Sequence, residues 1–335
     1  MEFRWGAGTR MAHGIAAAAW ALSAATAWSA PLGESDATSG PEAEPAIQAP
    51  VVIAVPLAAT PESFSDPVET LQETLMETLQ RKVKLHPPAP LAQVIRALRA
   101  GEVQVAFLDA WPALLAHEQA GAEVVFSEVR EVALEEGRGE AGSCLSYWVV
   151  PRESRIARME ELRNTRVAFP DAASLAGYVA PVSRLAELGL LRPRQGRVEP
   201  RRFLGKVLFS GSYADSWNAV QAKRADAMII SGDAPKALYE EIMAACRVLE
   251  RQGPTPWHTV VLAPGLNDPL RRALIGALSE LNEPRYRSLM RALISDAFVR
   301  FEPATTAQVL DSLAQMVART GLEWPERLAP EDVSP

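Results

Sequence analysis

Residue types that carry metal, redox and disulfide chemistry are scarce in this chain of 335 residues, which holds two cysteines, Cys144 and Cys246, and four histidines. Two cysteines are too few for a disulfide scaffold and wrongly spaced for a zinc site. One disulfide between them and two separate buried thiols both fit the sequence. His86 and His117 stand alone, and the His117-Glu118 pair lacks the second histidine of a zinc-binding helix, so no metal site is expected. Positive charge is also short. Lysine and arginine total 34 against 41 acidic residues, a net charge of -7, which argues against a nucleic-acid binder or an anionic-membrane binder. Any anion must be held locally. The strand-to-helix nucleophile elbow G-x-S-x-G, the phosphate loop G-x-x-x-x-G-K and the dinucleotide fingerprint G-x-G-x-x-G are all missing. An enzyme is therefore not expected, and no cofactor is implied.

What is present is a globular composition, 48% apolar and 22% charged, over a length that suits two lobes. Arg4 and Arg10 precede an alanine-rich apolar stretch from Ile15 to Ala27, and Ala25-Thr26-Ala27 supplies the small residues a signal peptidase needs. Residues 1–27 are read as a signal peptide and the mature protein is placed in the periplasm. No cysteine lies near the cut, so no lipid anchor is expected. The apolar run is too short and too interrupted for a transmembrane helix of ~20 residues, so no membrane insertion follows cleavage. Residues 28–49, rich in Pro, Ala, Ser, Gly and Glu, read as a flexible linker.

Order begins near Val51. Val51-Val52-Ile53-Ala54-Val55 is wholly apolar and β-branched, the pattern of a strand buried on both faces of a parallel sheet. Val68, Leu71, Leu75 and Leu79 then line one helix face, and Leu91, Val94, Ile95 and Leu98 line another that stops at Gly101. Strands at 103–108 and 124–126 complete a first βαβ lobe, residues 50–146. The same pattern restarts with strands at 147–150, 166–169, 206–209 and 226–230, with helices over 174–188 and 216–223 between them. This second lobe is assigned to residues 147–263. Apolar His258-Thr259-Val260-Val261-Leu262 can run back towards the first lobe, giving a two-strand hinge. Helices in 264–335 complete the first lobe. The fold class read from this pattern is α/β, two βαβ lobes joined by a two-strand hinge.

Two stretches of the second lobe carry chemistry. Val167-Ala168-Phe169-Pro170-Asp171-Ala172-Ala173-Ser174-Leu175-Ala176-Gly177-Tyr178 is a strand, a short loop and a helix start, presenting backbone N–H groups and the Ser174 hydroxyl above the sheet. Phe209-Ser210-Gly211-Ser212-Tyr213-Ala214-Asp215-Ser216 repeats the design. Either is explained by helix capping alone, or as an anion cradle. With Asp109-Ala110-Trp111 in the first lobe, three helix starts would surround one cleft.

The first stretch resembles the signature D-P-A-S-T-S-G-Y of the phosphate, phosphite and phosphonate family of ABC-transporter substrate-binding proteins. The second, through Asp226, resembles that family's F-x-G-S-H-D/E and G-x-A/V-D-A. The resemblance runs over roughly residues 50–300, supported by Ala97-Leu98-Arg99-Ala100-Gly101-Glu102 and by crossings at Tyr147 to Pro151 and His258 to Ala263. It implies the bilobed type II periplasmic-binding-protein fold, a periplasmic clamp that closes on a small ligand and delivers it to an inner-membrane ABC permease. The ligand-binding residues it implies are Asp109, Trp111, Ser174, Leu175, Tyr178, Ser212, Tyr213, Asp215 and His258. Leu175 and Ala176 stand where the family has hydroxyls, Tyr213 where it has histidine, and Ala214 where it has an acid. At ~0.5–1.5 kcal/mol per ordinary hydrogen bond, and more to a charged acceptor, losing two donors weakens oxyanion binding about a hundredfold. A less charged ligand fits these aromatic and apolar replacements better. The alternative is an accessory or sensor protein with a degenerate cleft that binds a protein partner.

Arg192, Arg194, Arg197, Arg201, Arg202 and Lys206 form a basic run broken by Pro193 and Glu199. It is read as a solvated loop, with a docking surface for an acidic partner as the other reading. A monomer is expected.

Overall fold

The computed structural model describes residues 49–55, 65–86, 89–134 and 137–325. The signal peptide, most of the linker and the last ten residues lie outside them. In chain order the elements are β1 (Val51–Ala54), α1 (Ser65–Leu79), β2 (Val83–His86), α2 (Leu91–Ala100), β3 (Val105–Asp109), α3 (Ala110–Ala120), β4 (Glu123–Ala133), β5 (Arg138–Ala141) and β6 (Ser143–Pro151). Then follow β7 (Arg166–Phe169), α4 (Ala180–Glu187), β8 (Lys206–Phe209), α5 (Tyr213–Gln221), β9 (Ala227–Ser231), α6 (Lys236–Ala245), β10 (Cys246–Pro256) and β11 (His258–Leu262). The chain ends with α7 (Asp268–Glu280), α8 (Arg287–Leu293), β12 (Phe298–Pro303) and α9 (Thr306–Thr320).

The strands make two sheets within one unit, Gln48–Pro335. The first is ordered β12-β4-β11-β3-β1-β2, with β5 paired to β4; the second is β10-β6-β9-β7-β8. β1 runs parallel to β2 and β3, and β7 parallel to β8 and β9, so each sheet carries the expected βαβ centre. Two-residue periodicity then sorts the side chains. Val51 and Ile53 join Val105 and Phe107 in a core under α1, α7 and α8, while Ala54 and Ala106 face Leu98, Trp111 and Leu114. In the second sheet Trp148, Val167, Phe169 and Ile229 face one core, and Val149, Ala168, Met228 and Ile230 the opposite one.

The crossings fall earlier than the sequence reading put them. The chain leaves the first sheet at Gly142, between β5 and β6, and returns at Trp257, between β10 and β11. Pro256 pairs with Ser143 in the second sheet, and His258 with Asp109 in the first. β11 therefore belongs to the first sheet, hydrogen-bonded between β3 and β4, although residues 147–263 were assigned to the second lobe. Its residues are all buried, with Val260, Val261 and Leu262 apolar, which suits an interior position there. A third tie is the Ala133 N–H donating to Gly232 O at 2.8 Å. A side chain at Gly232 would place its Cβ 2.8 Å from that Ala133 oxygen, so only glycine permits the approach.

The last helix does more than complete the first lobe. α9 packs against both α3 and α4. Its Thr306 hydroxyl accepts from Val124 N at 3.1 Å in the first sheet, while Arg319 near its other end donates to Ser183 (2.8 Å) and Glu187 (2.5 Å) on α4. Val309, Leu310 and Leu313 are buried in a core that includes Leu114 of α3 and Val182 and Leu185 of α4. A continuous apolar core therefore runs from one sheet to the other.

Candidate ligand-binding site

A polar cluster sits where the two sheets meet. Glu128 and Arg130 lie two residues apart on β4, hence on one face of the strand. Arg130 Nη2 donates to Glu128 Oε2 at 2.9 Å and stands 2.8 Å from His258 Nδ1. His258, at the start of β11, is 3.1 Å from Glu128 Oε2, and its Nε2 lies 3.3 Å from Asp109 Oδ1. The Arg130 guanidinium also covers the Trp257 ring, 5.2 Å from its centroid. From the second sheet, Asp233, two residues beyond β9, accepts from Arg130 Nη1 at 3.0 Å. Glu128 is fully buried and the Arg130 and His258 side chains nearly so, whereas Asp109 is 62% exposed.

Behind Asp233 the second sheet adds neutral polar groups. Cys144 Sγ on β6 lies 3.1 Å from Ser231 Oγ and 3.4 Å from Thr255 Oγ1. The Tyr213 hydroxyl, at the start of α5, faces Ser231 and Ser174, whose side chains favour its ionised form. Ser174 also caps its own turn, accepting from Gly177 N at 2.9 Å. That turn differs from the expected continuous helix. Residues Leu175–Val179 form a single π turn, with Val179 N reaching Ser174 O, before α4 starts at Ala180. Pro181 has no N–H to return to Gly177, which leaves the wider turn in its place. An alanine at Gly177 would drive its Cβ to 2.3 Å from Pro170, so the tight loop needs glycine there.

Charge decides what this cluster can do. Burial pushes Glu128 up, but the hydrogen bond from His258 and the charge of Arg130 more than offset it and hold Glu128 below the usual carboxylate range. Burial pulls His258 down, and Asp109 with Glu128 reverses this, holding it above the usual imidazole value. Arg130 is opposed by burial and raised by Glu128, Asp233 and Asp109. Burial, helped by Asp233, raises Tyr213 well above its ordinary value and Cys144 to about 11, so both stay protonated as donors. Three carboxylates thus face one guanidinium and one imidazolium, a net negative site. Glu128 Oε1 and Asp233 Oδ1 are buried acceptors without a hydrogen-bond partner among the described residues.

The structure brings together four of the residues singled out in the sequence: Asp109, Ser174, Tyr213 and His258. It sends the others elsewhere. Trp111 is 2% exposed and packs edge-on against Trp324 at 5.2 Å, in the apolar core below α9. Leu175 packs against that same core, and Tyr178 stacks edge-on with Phe169 and Phe209. Ser212 caps α5, accepting from Asp215 N at 3.0 Å and donating to the Asp215 carboxylate at 2.7 Å, so these two satisfy each other. Cys144 and Cys246 are free thiols, both buried.

Glu128, Arg130 and Asp233 were not found from sequence. The signal was present: Glu128 and Arg130 at alternate positions of the strand Glu123–Ala133, which also carries Ser127 and Glu131, and an acid two residues after the buried strand Ala227–Ser231. Reading the strand as 124–126 alone hid it.

A bilobed frame with a polar cluster between two sheets defines a small-molecule binding protein. The family model described as "ABC transporter, phosphonate, periplasmic substrate-binding protein" matches residues 53–308, and the chain belongs to that family. The family is one of binding components rather than enzymes, serving an ABC transporter with a small-molecule ligand and a permease partner. Solved structures agree on the fold. XAC2383 from Xanthomonas citri bound to ATP superposes with a TM-score of 0.63 at 18% identity, over 80% of this chain and 97% of that one. A binding-protein component of an ABC phosphonate transporter from Pseudomonas aeruginosa gives 0.55 at 18%, over 84% and 91%. PhnD1 from Prochlorococcus marinus in complex with methylphosphonate gives 0.53 at 15%, over 80% and 96%. No curated protein matches the sequence. Among the described residues no helix is long and apolar enough to cross a membrane.

Proposed function

We propose that the mature chain, freed of residues 1–27, is a monomeric periplasmic receptor. Its ligand site is the cluster of Asp109, Glu128, Arg130, Asp233 and His258, bordered by Ser174, Ser231 and Tyr213. Its ligand is small, neutral or singly positive, and rich in hydrogen-bond donors, rather than a bare oxyanion. One observation carries this reading: Arg130, the guanidinium at the cluster, is already engaged by Glu128 on one side and Asp233 on the other. An incoming oxyanion would have to displace a carboxylate and would then sit among three of them. The buried acceptors Glu128 Oε1 and Asp233 Oδ1 call for donors, and the buried donors Arg130 Nε and Trp257 Nε1 call for a neutral acceptor such as an amide oxygen. Calorimetry of the mature protein with phosphate, phosphite and methylphosphonate, against short alkylamines and primary amides, tests it. Binding confined to the amines and amides supports the proposal, and tight binding of an oxyanion that depends on Arg130 refutes it.

A second reading keeps the fold without the transport role. The apolar core shared through α9 ties the two sheets together, as a sensor or accessory protein with a closed cleft would have it. Affinity capture from periplasm and inner membrane separates the two: a transport receptor recovers a permease, an accessory protein recovers a different partner.

A further inference from the structure

The basic run of the second lobe is exposed, as a solvated loop would be, and it borders a cavity. Tyr178, Phe209, Val207 and Leu322 form its apolar floor, and Arg194, Arg197, Arg201 and Arg202 stand around it with Glu199, bordering a half-open space of about 570 Å³. That volume suits a small ligand rather than a protein surface. The arginines are held in place by backbone. Arg194 and Arg197 exchange both backbone hydrogen bonds, at 2.9 and 3.1 Å, across a two-residue turn in which Gln195 and Gly196 have positive φ. Val198 N then donates to Thr320 O at 2.8 Å, fixing the turn to the end of α9.

Charge is not balanced inside this cavity. Arg202 pairs with Glu199 at 2.6 Å and Arg197 with Glu323 at 3.3 Å, while Arg194 and Arg201 have no carboxylate within salt-bridge distance among the described residues. The charge of Arg194 and Arg201 reaches Glu199 on the same wall, so three guanidiniums share that one carboxylate, in a protein whose net charge is -7. Arg197 and Arg201 also lie close enough to Tyr178 to favour its ionised form, against the burial that opposes it. Planar donor forks beside an aromatic floor match an oxyanion joined to a flat apolar body.

We infer that this cavity is a second ligand site, separate from the cluster between the sheets, and that it takes an aryl phosphate: phosphate on Arg194 and Arg201, ring against Tyr178 and Phe209. It stands whether or not the proposal for the first site is correct.

Titration of the mature protein with phenyl phosphate, inorganic phosphate and phenol, followed by saturation-transfer NMR and calorimetry, tests it. Phenyl phosphate is expected to bind at least tenfold tighter than inorganic phosphate, with phenol weaker than either. Raising salt should weaken the binding. The double variant Arg194→Ala/Arg201→Ala, both positions exposed, should lose at least tenfold in affinity with an unchanged melting temperature. Arg272→Ala, an exposed arginine on α7, should lose nothing. Full affinity in the double variant, or an equal loss in Arg272→Ala, overturns the inference. Loss of phenyl phosphate binding in Arg130→Ala with retention in the double variant also overturns it, and assigns the anion to the first site instead.

Discussion

The guanidinium of Arg130 and the carboxylate of Asp233 join the two sheets, with Nη1 standing 3.0 Å from Oδ2. Arg130 is held by β4 of the first sheet and Asp233 by the loop after β9 of the second, so this ion pair spans the meeting of the lobes. Its side chains are only 11% and 18% exposed, too little for water to replace a lost partner fully.

Removing the cation should therefore cost more than removing one of its carboxylates. Asp233→Asn leaves Arg130 still paired with Glu128 and is expected to destabilise the protein by about 2 kcal/mol, read as a lower urea midpoint. Arg130→Met takes the guanidinium from both carboxylates, and with Glu128 fully buried it should cost about 4 kcal/mol. An Arg130→Met variant no weaker than Asp233→Asn would show that Glu128 does not depend on Arg130.

The cluster also has a pH signature. His258 is raised above its ordinary value of 6.5, so its contribution is fully present below that value and disappears as pH rises through the raised one. Glu128 is lowered below its ordinary 4.5, so its contribution is present above that value and lost as pH falls through the lowered one. Asp109, Arg130 and Asp233 are the other charged groups facing this pair. The network is strongest between 4.5 and 6.5, and stability should decline above it. His258→Gln should flatten the alkaline decline and move the acid limb to higher pH, because the imidazole also helps hold Glu128 low, as measured by melting temperature against pH.

α9 should act as a strap between the lobes. Leu313 is fully buried in the shared core, and Leu313→Ala is expected to cost about 3 kcal/mol. Because the core is continuous, wild type should unfold in one calorimetric transition. The variant should broaden or split it as the two sheets lose their common packing.

Ser174 and Ser212 each cap a helix start, on Gly177 N and Asp215 N. Ser174→Ala and Ser212→Ala should each cost about 1 kcal/mol in denaturant melts. Only Ser174→Ala should also alter ligand binding, since Ser174 alone of the two reaches Tyr213.

The fold was legible because burial on both faces writes itself into apolar runs rich in β-branched residues, such as Val51 to Val55 and Val260 to Leu262. The helix faces of α2 and α9 were equally clear in their spacing. The site was harder to read. Asp109, Ser174, Tyr213 and His258 could be found because each sits at the start of a helix or strand, where local sequence announces exposure of polar groups. Glu128 and Arg130 sit in mid-strand, and their meaning depends on Asp233, about a hundred residues later in the chain, which no local pattern reveals. Trp111 misled for the opposite reason: its position at a helix start suggested a cleft, but Trp324 from beyond α9 covers it.

The most direct measurement is calorimetry of the mature protein with methylphosphonate at neutral pH, run beside Arg130→Ala. With Arg130 held between Glu128 and Asp233, methylphosphonate should give no binding tighter than millimolar, and the variant should behave the same. A micromolar dissociation constant that Arg130→Ala abolishes would contradict a cleft whose cation is already taken.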